Sequence, residues 1–376
     1  MVSKGRKLRV AYIGIKGLPA RGGAERVVEA IVKRMPALGV EPTVYCGTHY
    51  TPRGTKIDGV RLIRLPTVPG KYTRQTVLDL LQALHAVVLG NYDLIHIHHN
   101  EAGFVVPLLR LRYRVVGTCH GGVGTRKWGP IARLIMGAMA WPFMKLSNLV
   151  TFVACHEADE FGTRYKRRTV YIPNGVSADC EPDIDAARRI QAALGLRPRE
   201  YFVLVAARIL SIKGAHLAIE AINKLGGDIP LLIVGDEMQE SSYGKTLHEM
   251  AGPNVVFHPP ISDPALLFGL MADSKCLLFP STFEAMSMVL LEAASVGTPI
   301  LCSDIPQNTA VMGDDAVYFE SGNVLSLSEK INWVITHEDE FLRIAERAQK
   351  RVHDNHCWDN IAEKYVKVYN EVVGGA

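Results

Sequence analysis

The sequence predicts an α/β protein of two doubly wound domains, each with a parallel sheet covered by helices on both faces. Three observations support this prediction. The chain has 376 residues, enough for two domains at roughly 100–200 residues per domain. Short β-branched segments alternate with helical segments, and this alternation starts afresh near residue 200. Hydrophobic residues make up 48% of the chain and charged residues 21%, as in globular proteins with buried cores.

The first half begins with a strand over residues 8–13, a glycine-rich turn and a helix. One face of that helix is apolar at the 3.6-residue period, at Ala24, Val27, Val28, Ile31 and Met35. Further apolar, β-branched runs predict strands at residues 43–46, 94–97, 115–118, 149–153 and 170–172.

The second half repeats the pattern, with strands predicted at residues 201–206, 231–234, 255–257, 277–279 and 299–302. Between the halves, Ile172-Pro173-Asn174-Gly175 is a turn signal and residues 178–185 are rich in acids. We therefore predict domains over residues 1–177 and 178–357 that face each other across a cleft. In such sheets, ligands bind beyond the carboxyl ends of the strands.

The charge is divided unevenly along the chain. Residues 1–180 have a net charge of +15 and residues 181–376 a net charge of −11, which leaves +4 for the whole chain. Two halves of opposite net charge predict two structural units that bind different partners.

The sequence also carries signals about compartment. Its basic start runs directly into a strand, without the apolar segment of a signal peptide. No uncharged run approaches the roughly 18–20 residues of a membrane-spanning helix. The seven cysteines are scattered and form no C-x-x-C pair, a pattern that favours reduced thiols. We expect a cytoplasmic protein that does not span a membrane.

Two loops offer groups for an anionic ligand. Gly22 and Gly23 stand where the first helix begins, so backbone N–H groups are open to an anion or a sugar; a tight turn that requires glycine is the structural alternative. Arg208 and Lys213 follow the first strand of the second half, five residues apart. They could straddle a diphosphate, or be solvated surface cations.

A third loop runs from Phe279 into a helix and contains Glu284 and Glu292. Eight residues of helix rise span about 12 Å, more than the roughly 5–9.5 Å between the two carboxylates of a glycoside hydrolase. The spacing therefore disfavours hydrolysis and favours contact with two hydroxyl-bearing parts of one long ligand. A helix-start carboxylate and a solvated glutamate are the structural alternative.

The fourth loop follows the strand that ends in Cys119 and His120. Adjacent side chains on a strand point to opposite faces, which disfavours a Cys–His nucleophile pair. His120 is therefore either a polar cleft residue or a structural histidine. Of the three histidines at 96, 98 and 99, two share a strand face, but without accompanying carboxylates or thiolates we predict no metal site.

Residues 102–156 contain no Asp or Glu and combine basic, tryptophan and apolar side chains. Such a segment suits the surface of an anionic membrane, although a buried helix with tryptophan in its core is the alternative. The candidate membrane or acceptor residues are Arg126, Lys127, Trp128, Arg133, Trp141 and Lys145.

Together these motifs resemble the retaining nucleotide-sugar glycosyltransferases of family 4 (glycosyl transferases group 1), which have the GT-B fold of two Rossmann-like domains. The resemblance covers essentially the whole chain. It rests on motifs that occur in the family's order: Gly22-Gly23-Ala24-Glu25, Thr118–His120, Ile172-Pro173-Asn174-Gly175-Val176, Arg208 with Lys213-Gly214, Glu284-x(7)-Glu292, and Trp358 with Tyr365 and Tyr369.

The resemblance implies a role for each position. Arg208 and Lys213 would hold the donor diphosphate and stabilise the departing charge, and Glu292 would bind the ribose hydroxyls. Glu284 would contact the donor sugar. Backbone amides near Met286, Ser287 and Met288 would bind the phosphate. Gly22 and Gly23 would approach the donor, and His120 would lie near the sugar and the acceptor. The final helix, residues 358–376, would cross back onto the first domain.

The resemblance also implies the chemistry. Transfer would retain the anomeric configuration by front-face attack, without a metal or other cofactor, and a donor phosphate oxygen would help to deprotonate the acceptor. Because a nucleoside diphosphate is a good leaving group, fixed positive charge matters more than a strong general acid. The chain departs from the family's common Glu-Gly-Phe-Gly: it has Glu284-Ala285-Met286-Ser287, whose bulkier Met286 changes the fit around the donor sugar.

The expected partners are a nucleotide-sugar donor, a lipid-linked or glycan acceptor, and an anionic membrane touched peripherally at the inner face of the cell membrane. Two other classes of protein share some of these features. A sugar-nucleotide epimerase of the same fold would need acid and base residues at the sugar. A non-catalytic basic membrane- or nucleic-acid-binding protein would leave the loops of the acidic half without a purpose, and aromatic residues, at 7%, are too few for single-strand binding. We therefore expect no nucleic-acid partner.

Overall fold

The computed structural model describes residues 6–20, 22–70, 73–121, 130–177, 180–226, 229–237 and 241–375, with the backbone alone at 130–136 and 241. The chain forms two compact units. Unit 1 comprises Met1–Gly175 and Trp358–Ala376, and unit 2 comprises Val176–Cys357. Each contains its own hydrophobic core around a parallel sheet.

In the described part of unit 1, seven parallel strands form one sheet in the order β3-β2-β1-β4-β5-β6-β7. The strands are β1 (Leu8–Ile13), β2 (Val40–Gly47), β3 (Arg61–Leu65), β4 (Leu94–His98), β5 (Arg114–Cys119), β6 (Leu149–Phe152) and β7 (Thr169–Tyr171). The α-helices between them are α1 (Gly23–Arg34), α2 (Thr73–Leu89), α3 (Val106–Leu109), α4 (Pro130–Leu146) and α5 (Cys155–Tyr165).

Unit 2 repeats this order within its described residues, where six parallel strands run β10-β9-β8-β11-β12-β13. The strands are β8 (Phe202–Arg208), β9 (Leu231–Asp236), β10 (Val255–His258), β11 (Cys276–Phe279), β12 (Ile300–Ser303) and β13 (Val317–Phe319). The helices are α6 (Ile184–Ala193), α7 (Ala215–Leu225), α8 (Ser241–Met250), α9 (Pro264–Ala272), α10 (Met288–Ser295), α11 (Pro306–Met312), α12 (Val324–Thr336) and α13 (Glu338–Asn355).

The last helix, α14 (Trp358–Gly374), belongs to unit 1. Its buried face includes Trp358 and Tyr365, and Arg34 Nε of α1 donates to Asp359 Oδ1 at 2.7 Å. Tyr369 hydrogen bonds to His96 Nδ1 at 2.7 Å and to Tyr12 at 3.1 Å, both in the middle of the sheet. The chain end is thereby anchored to the interior of the unit.

Two edge strands, β3 and β13, were not predicted from the sequence. In β3, Arg61 and Arg64 interrupt the apolar pattern, and β13 has only three residues. None of the helices in the described ranges is both long and apolar enough to cross a membrane.

Candidate functional site

Each sheet reverses its strand order once, between β1 and β4 in unit 1 and between β8 and β11 in unit 2. The carboxyl ends of strands at such a reversal form the crevice in which doubly wound folds bind ligands. The candidate loops all follow these strands or, for His120, the neighbouring strand β5.

In unit 2, the loops after β8 and β11 lie in direct contact. Gly214 has a φ of +70°, and a Cβ at this position would lie 2.1 Å from the carbonyl oxygen of Pro280. Only glycine permits so close an approach. Thr282 N also donates to Ile212 O at 2.8 Å, so the two loops form one surface.

This contact brings Lys213 and Glu284 together. Lys213 Nζ lies 2.6 Å from Glu284 Oε1, with side-chain exposures of 24% and 10%. A lysine ammonium has three donor hydrogens, so two remain for the oxygens of a phosphate once the carboxylate has taken one. Lys213 is therefore a fixed, half-buried cation rather than a solvated one.

The start of α10 provides a second anion-binding feature of unit 2. Ser287 precedes its first turn, and among the described residues its side chain caps none of the free N–H groups there. Met286 and Ser287 are each 7% exposed, and Met288 opens the helix. Free N–H groups and the helix dipole together favour a phosphate at this position.

Glu292 lies within α10 and is 2% exposed, so it is a buried carboxylate and not a solvated helix residue. The helix begins only at Met288, and Glu284 precedes it in an irregular loop. The distance of about 12 Å between the two carboxylates was calculated from helical rise over all eight residues. Because the residues before Met288 are not helical, that calculation was wrong.

Arg208 ends β8, just past an irregularity in its pairing with β9. Its side chain is exposed and makes no ion pair with the part of the chain that the structure describes. Of the two predicted diphosphate cations, Lys213 alone is held by an acidic partner here.

In unit 1, the loop after β1 is held by hydrogen bonds from other elements. Gly14 N donates to Gln82 Oε1 at 2.9 Å, and Leu18 N donates to Thr51 Oγ1 at 3.0 Å. Gly14 has a φ of +81°, and a Cβ there would lie 2.2 Å from the carbonyl oxygen of His98. The loop therefore presses against the end of β4, as Gly214 does against Pro280 in unit 2.

The start of α1 already faces a carboxylate. Gly22 is the residue before the helix, and a Cβ on it would lie 2.5 Å from Glu25 Oε2, whereas Gly23 has open space there. Glu25 is 6% exposed and accepts from Lys16 N at 3.4 Å. A negative charge at this position disfavours a phosphate, so Gly22 and Gly23 suit a hydroxyl-bearing ligand.

His120 follows β5 and hydrogen bonds to His98, the last residue of β4, with Nε2 and Nδ1 2.9 Å apart. Burial lowers the pKa of both histidines well below its usual value, so both rings are neutral at pH 7. Burial also raises the pKa of Cys119, which leaves a neutral, fully buried thiol. From the sequence, His98 was considered only as a metal ligand; the missed signal is that β4 ends in a histidine and that another histidine directly follows β5.

The histidines of β4 have partners within the protein. His96 bonds through Nδ1 to Tyr369 and through Nε2 to Thr118, at 2.7 and 2.6 Å. Among the residues that the structure describes, no three His, Cys, Asp or Glu side chains are arranged to hold a metal ion.

The structure describes only some of the candidate membrane residues. Arg126, Lys127 and Trp128 lie outside the described residues, and of Arg133 only the backbone of α4 is described. Trp141 is 52% exposed and Lys145 is exposed, whereas their neighbours Phe143 and Met144 are buried in the core. The end of α4 thus belongs to the core on one face and presents a tryptophan and a lysine on the other.

Comparison with known proteins gives two family matches. The model of Glycosyltransferase Family 4 matches residues 21–179, and that of glycosyl transferases group 1 matches residues 187–351. A mannosyltransferase of Escherichia coli, O-antigen chain mannosyltransferase C, is 25% identical over 221 residues. That match covers 56% of this chain and 56% of the relative, so it spans about half the relative's length.

Solved structures resemble the whole chain. Sucrose-phosphate synthase of Thermosynechococcus elongatus has a TM-score of 0.80 at 20% identity, over 98% of this chain and 100% of that one. HepE of Anabaena, in complex with UDP and glucose, has a TM-score of 0.80 at 18% identity, over 97% and 100%. These likenesses confirm the predicted fold class, GT-B with two Rossmann-like domains.

Proposed function

This chain belongs to the family 4 glycosyltransferases (glycosyl transferases group 1), and on that premise we propose that it moves a sugar from a nucleoside diphosphate sugar to an acceptor hydroxyl with retention. The observation that carries the proposal is the crevice of unit 2, where Lys213 is fixed by Glu284 beside the uncapped start of α10. Nucleotide bound to the Anabaena structure supports the same class of donor.

The positive groups of unit 2 match the charge that develops as the donor breaks. When the bond between the sugar C1 and the phosphate oxygen cleaves, the electron pair goes to the diphosphate. Lys213, the first amides of α10 and the guanidinium of Arg208 stabilise that charge without a metal or other cofactor. The acceptor oxygen bonds to C1 on the same face, and its proton passes to the departing phosphate oxygen.

The carboxylates have separate roles in this proposal. Glu284 orients Lys213 and reaches the donor sugar, and Glu292 accepts hydrogen bonds from the ribose hydroxyls. The family resemblance assigns Gly22, Gly23 and His120, all in unit 1, to contacts with the sugar and the acceptor. The epimerase alternative is disfavoured because Glu284 is already engaged by Lys213, which leaves it poorly suited to take a proton from the sugar.

The experiment is a thermal-shift screen of UDP-, GDP-, ADP- and dTDP-sugars against the wild-type protein and Glu292→Gln. One of the donors should stabilise the wild type, and the variant should bind it about 10-fold or more weakly, because hydrogen bonds to a charged group contribute about 1.5–3 kcal/mol. Glu220→Gln, at an exposed carboxylate of the same unit, should bind like the wild type. No shift with any donor would overturn the proposal.

We further propose a lipid-linked or cell-envelope glycan acceptor, reached at the cytoplasmic face of an anionic membrane. Support comes from the exposed Trp141 and Lys145 on α4, from the acid-free residues 102–156, and from the O-antigen enzyme among the relatives.

Flotation with anionic vesicles tests the membrane contact. The wild type should float at low salt and less at high salt, and Trp141→Ala should bind more weakly because an interfacial aromatic ring is lost. Absence of binding at both salt concentrations would refute this part of the proposal.

A further inference from the structure

His98 is a buried side chain at the crevice of unit 1 for which the proposed chemistry has no role so far. Its exposure is 0%, and its ring lies between two other imidazoles. The ring centroid is 4.0 Å from that of His96 and 5.2 Å from that of His120, with the planes of His98 and His120 only 20° apart. The stack ends at His120, part of which reaches the surface.

We infer that His98 is a positioning residue that fixes the tautomer and ring orientation of His120, so that His120 presents an Nδ1–H donor to the substrate. The inference rests on the proposed function, because it assigns a hydrogen-bonding role to His120 at the sugar or acceptor. His98 itself touches no substrate in this account and acts only through His120.

The hydrogen bond between the two rings allows two arrangements. Either His98 Nδ1–H donates to His120 Nε2, or His120 Nε2–H donates to His98 Nδ1. His98 Nε2 is buried and has no hydrogen-bond partner among the described residues. In the second arrangement Nε2 would carry a proton and become a buried donor without an acceptor, which is rarer and costlier than a bare lone pair.

The first arrangement therefore holds, with both rings as Nδ1–H tautomers. His120 Nε2 accepts from His98, and the proton of His120 is carried on Nδ1. A neutral ring protonated at its free nitrogen donates a hydrogen bond and does not accept a proton there. His120 is thus excluded as a general base, which agrees with a proton that passes to the departing phosphate oxygen.

His96, whose ring packs against that of His98, is held in place by further hydrogen bonds. Both nitrogens of His96 are engaged, by Tyr369 and by Thr118, and Thr118 bonds in turn to Thr151 at 2.6 Å. Because both of its nitrogens are engaged, the His96 ring is fixed, and it packs against one side of the His98 ring. Among the described residues, His99 lies near His120, with ring centroids 5.6 Å apart, and Glu101 Oε2 is 3.9 Å from His99 Nδ1.

Kinetics of three His98 variants test the inference. His98→Leu should lower kcat about 10- to 100-fold with little change in the KM for the donor, because the donor site in unit 2 is intact. His98→Asn places an amide N–H near the position of Nδ1 and should recover most of kcat, whereas His98→Gln places it near Nε2 and should not. His85→Leu, which removes the hydrogen bond between His85 and Tyr45 elsewhere in unit 1, is the control for stability.

Equal effects of His98→Leu and His85→Leu on kcat would overturn the inference, as would an Asn variant no better than Leu. Thermal unfolding of each variant separates loss of fold from loss of positioning.

A second measurement needs no substrate, so it can fail independently of the proposed function. In protein labelled with ¹⁵N-histidine, NMR should show both rings neutral and protonated at Nδ1. In His98→Leu, the His120 signals should shift to a mixture of tautomers. A proton on Nε2 of either ring in the wild type would refute the inference, even if the transfer reaction proceeds as proposed.

Discussion

Lys213 and Glu284 are separated by 71 positions in the sequence, yet their charged atoms lie 2.6 Å apart. From the sequence we expected Lys213 to be one of two diphosphate cations and Glu284 to be a sugar contact, with no contact between the two. Their pairing depends on the approach of two loops at Gly214 and Pro280, which spacing along the chain does not reveal. A half-buried pair of this kind contributes little net stability, so its value is the fixed position of the ammonium group.

His98 illustrates the same limit at a single residue. The strands β4 and β5 could be predicted, and with them a histidine at the end of β4 and another directly after β5. The hydrogen bond between their side chains depends on register, which pairs His98 with Thr118, two residues before His120. Register is set by packing across the sheet and is not encoded in either strand alone.

At the scale of elements, α2 carries a buried acid with a consequence for stability. Asp79 is 4% exposed, and burial raises its pKa to about 7. The hydrogen bond from Gln75 lowers the pKa, but by less than burial raises it. An unfolded aspartate has a pKa of about 3.9. The folded state therefore binds a proton that the unfolded state releases, and unit 1 loses stability as the pH rises from about 4 to 7.

Asp79→Asn should remove this pH dependence, because the amide is neutral at every pH. In the wild type, Gln75 Nε2 donates to Asp79 Oδ1 at 2.6 Å, and the oxygen of the asparagine amide can accept the same hydrogen bond. We expect a gain on the order of 2–4 kcal/mol in the free energy of unfolding at pH 8, and almost none at pH 4. Thermal unfolding across this range measures the effect. Asp159→Asn, at an exposed acid of α5, is the control and should change the free energy of unfolding equally at both pH values. If Asp79→Asn also gave gains of equal size at pH 4 and pH 8, the account would be contradicted.

Most elements of the sheets could be predicted because parallel strands buried on both faces have continuous apolar runs. Leu8–Ile13 and Leu231–Asp236 are of this kind. The edge strand β3 could not, since Arg61 and Arg64 interrupt its apolar run. The helix that follows β11 could also be predicted: Glu292 was expected about one turn inside it, which agrees with the start of α10 at Met288.

For the whole molecule, the repeated strand order of the two units was predictable, because one rhythm of strands and helices occurs twice. The function depends on which loops lie at the two reversals of strand order. The −11 net charge of residues 181–376 makes Lys213 and Arg208 exceptions to their own half of the chain. Local positive charge within an acidic domain favours a specific anionic ligand over general adhesion to anions.

The most direct test of the account is release of nucleoside diphosphate from the preferred donor by wild type, Lys213→Met, Lys213→Met with Glu284→Gln, and Lys224→Met. Lys224 forms an exposed ion pair with Glu220 at 3.1 Å and serves as the matched control. Both Lys213 variants should release product about 100-fold or more slowly, since a fixed group that stabilises developing charge is lost, and Lys224→Met should match the wild type. Release at the wild-type rate by folded Lys213→Met would contradict the central claim.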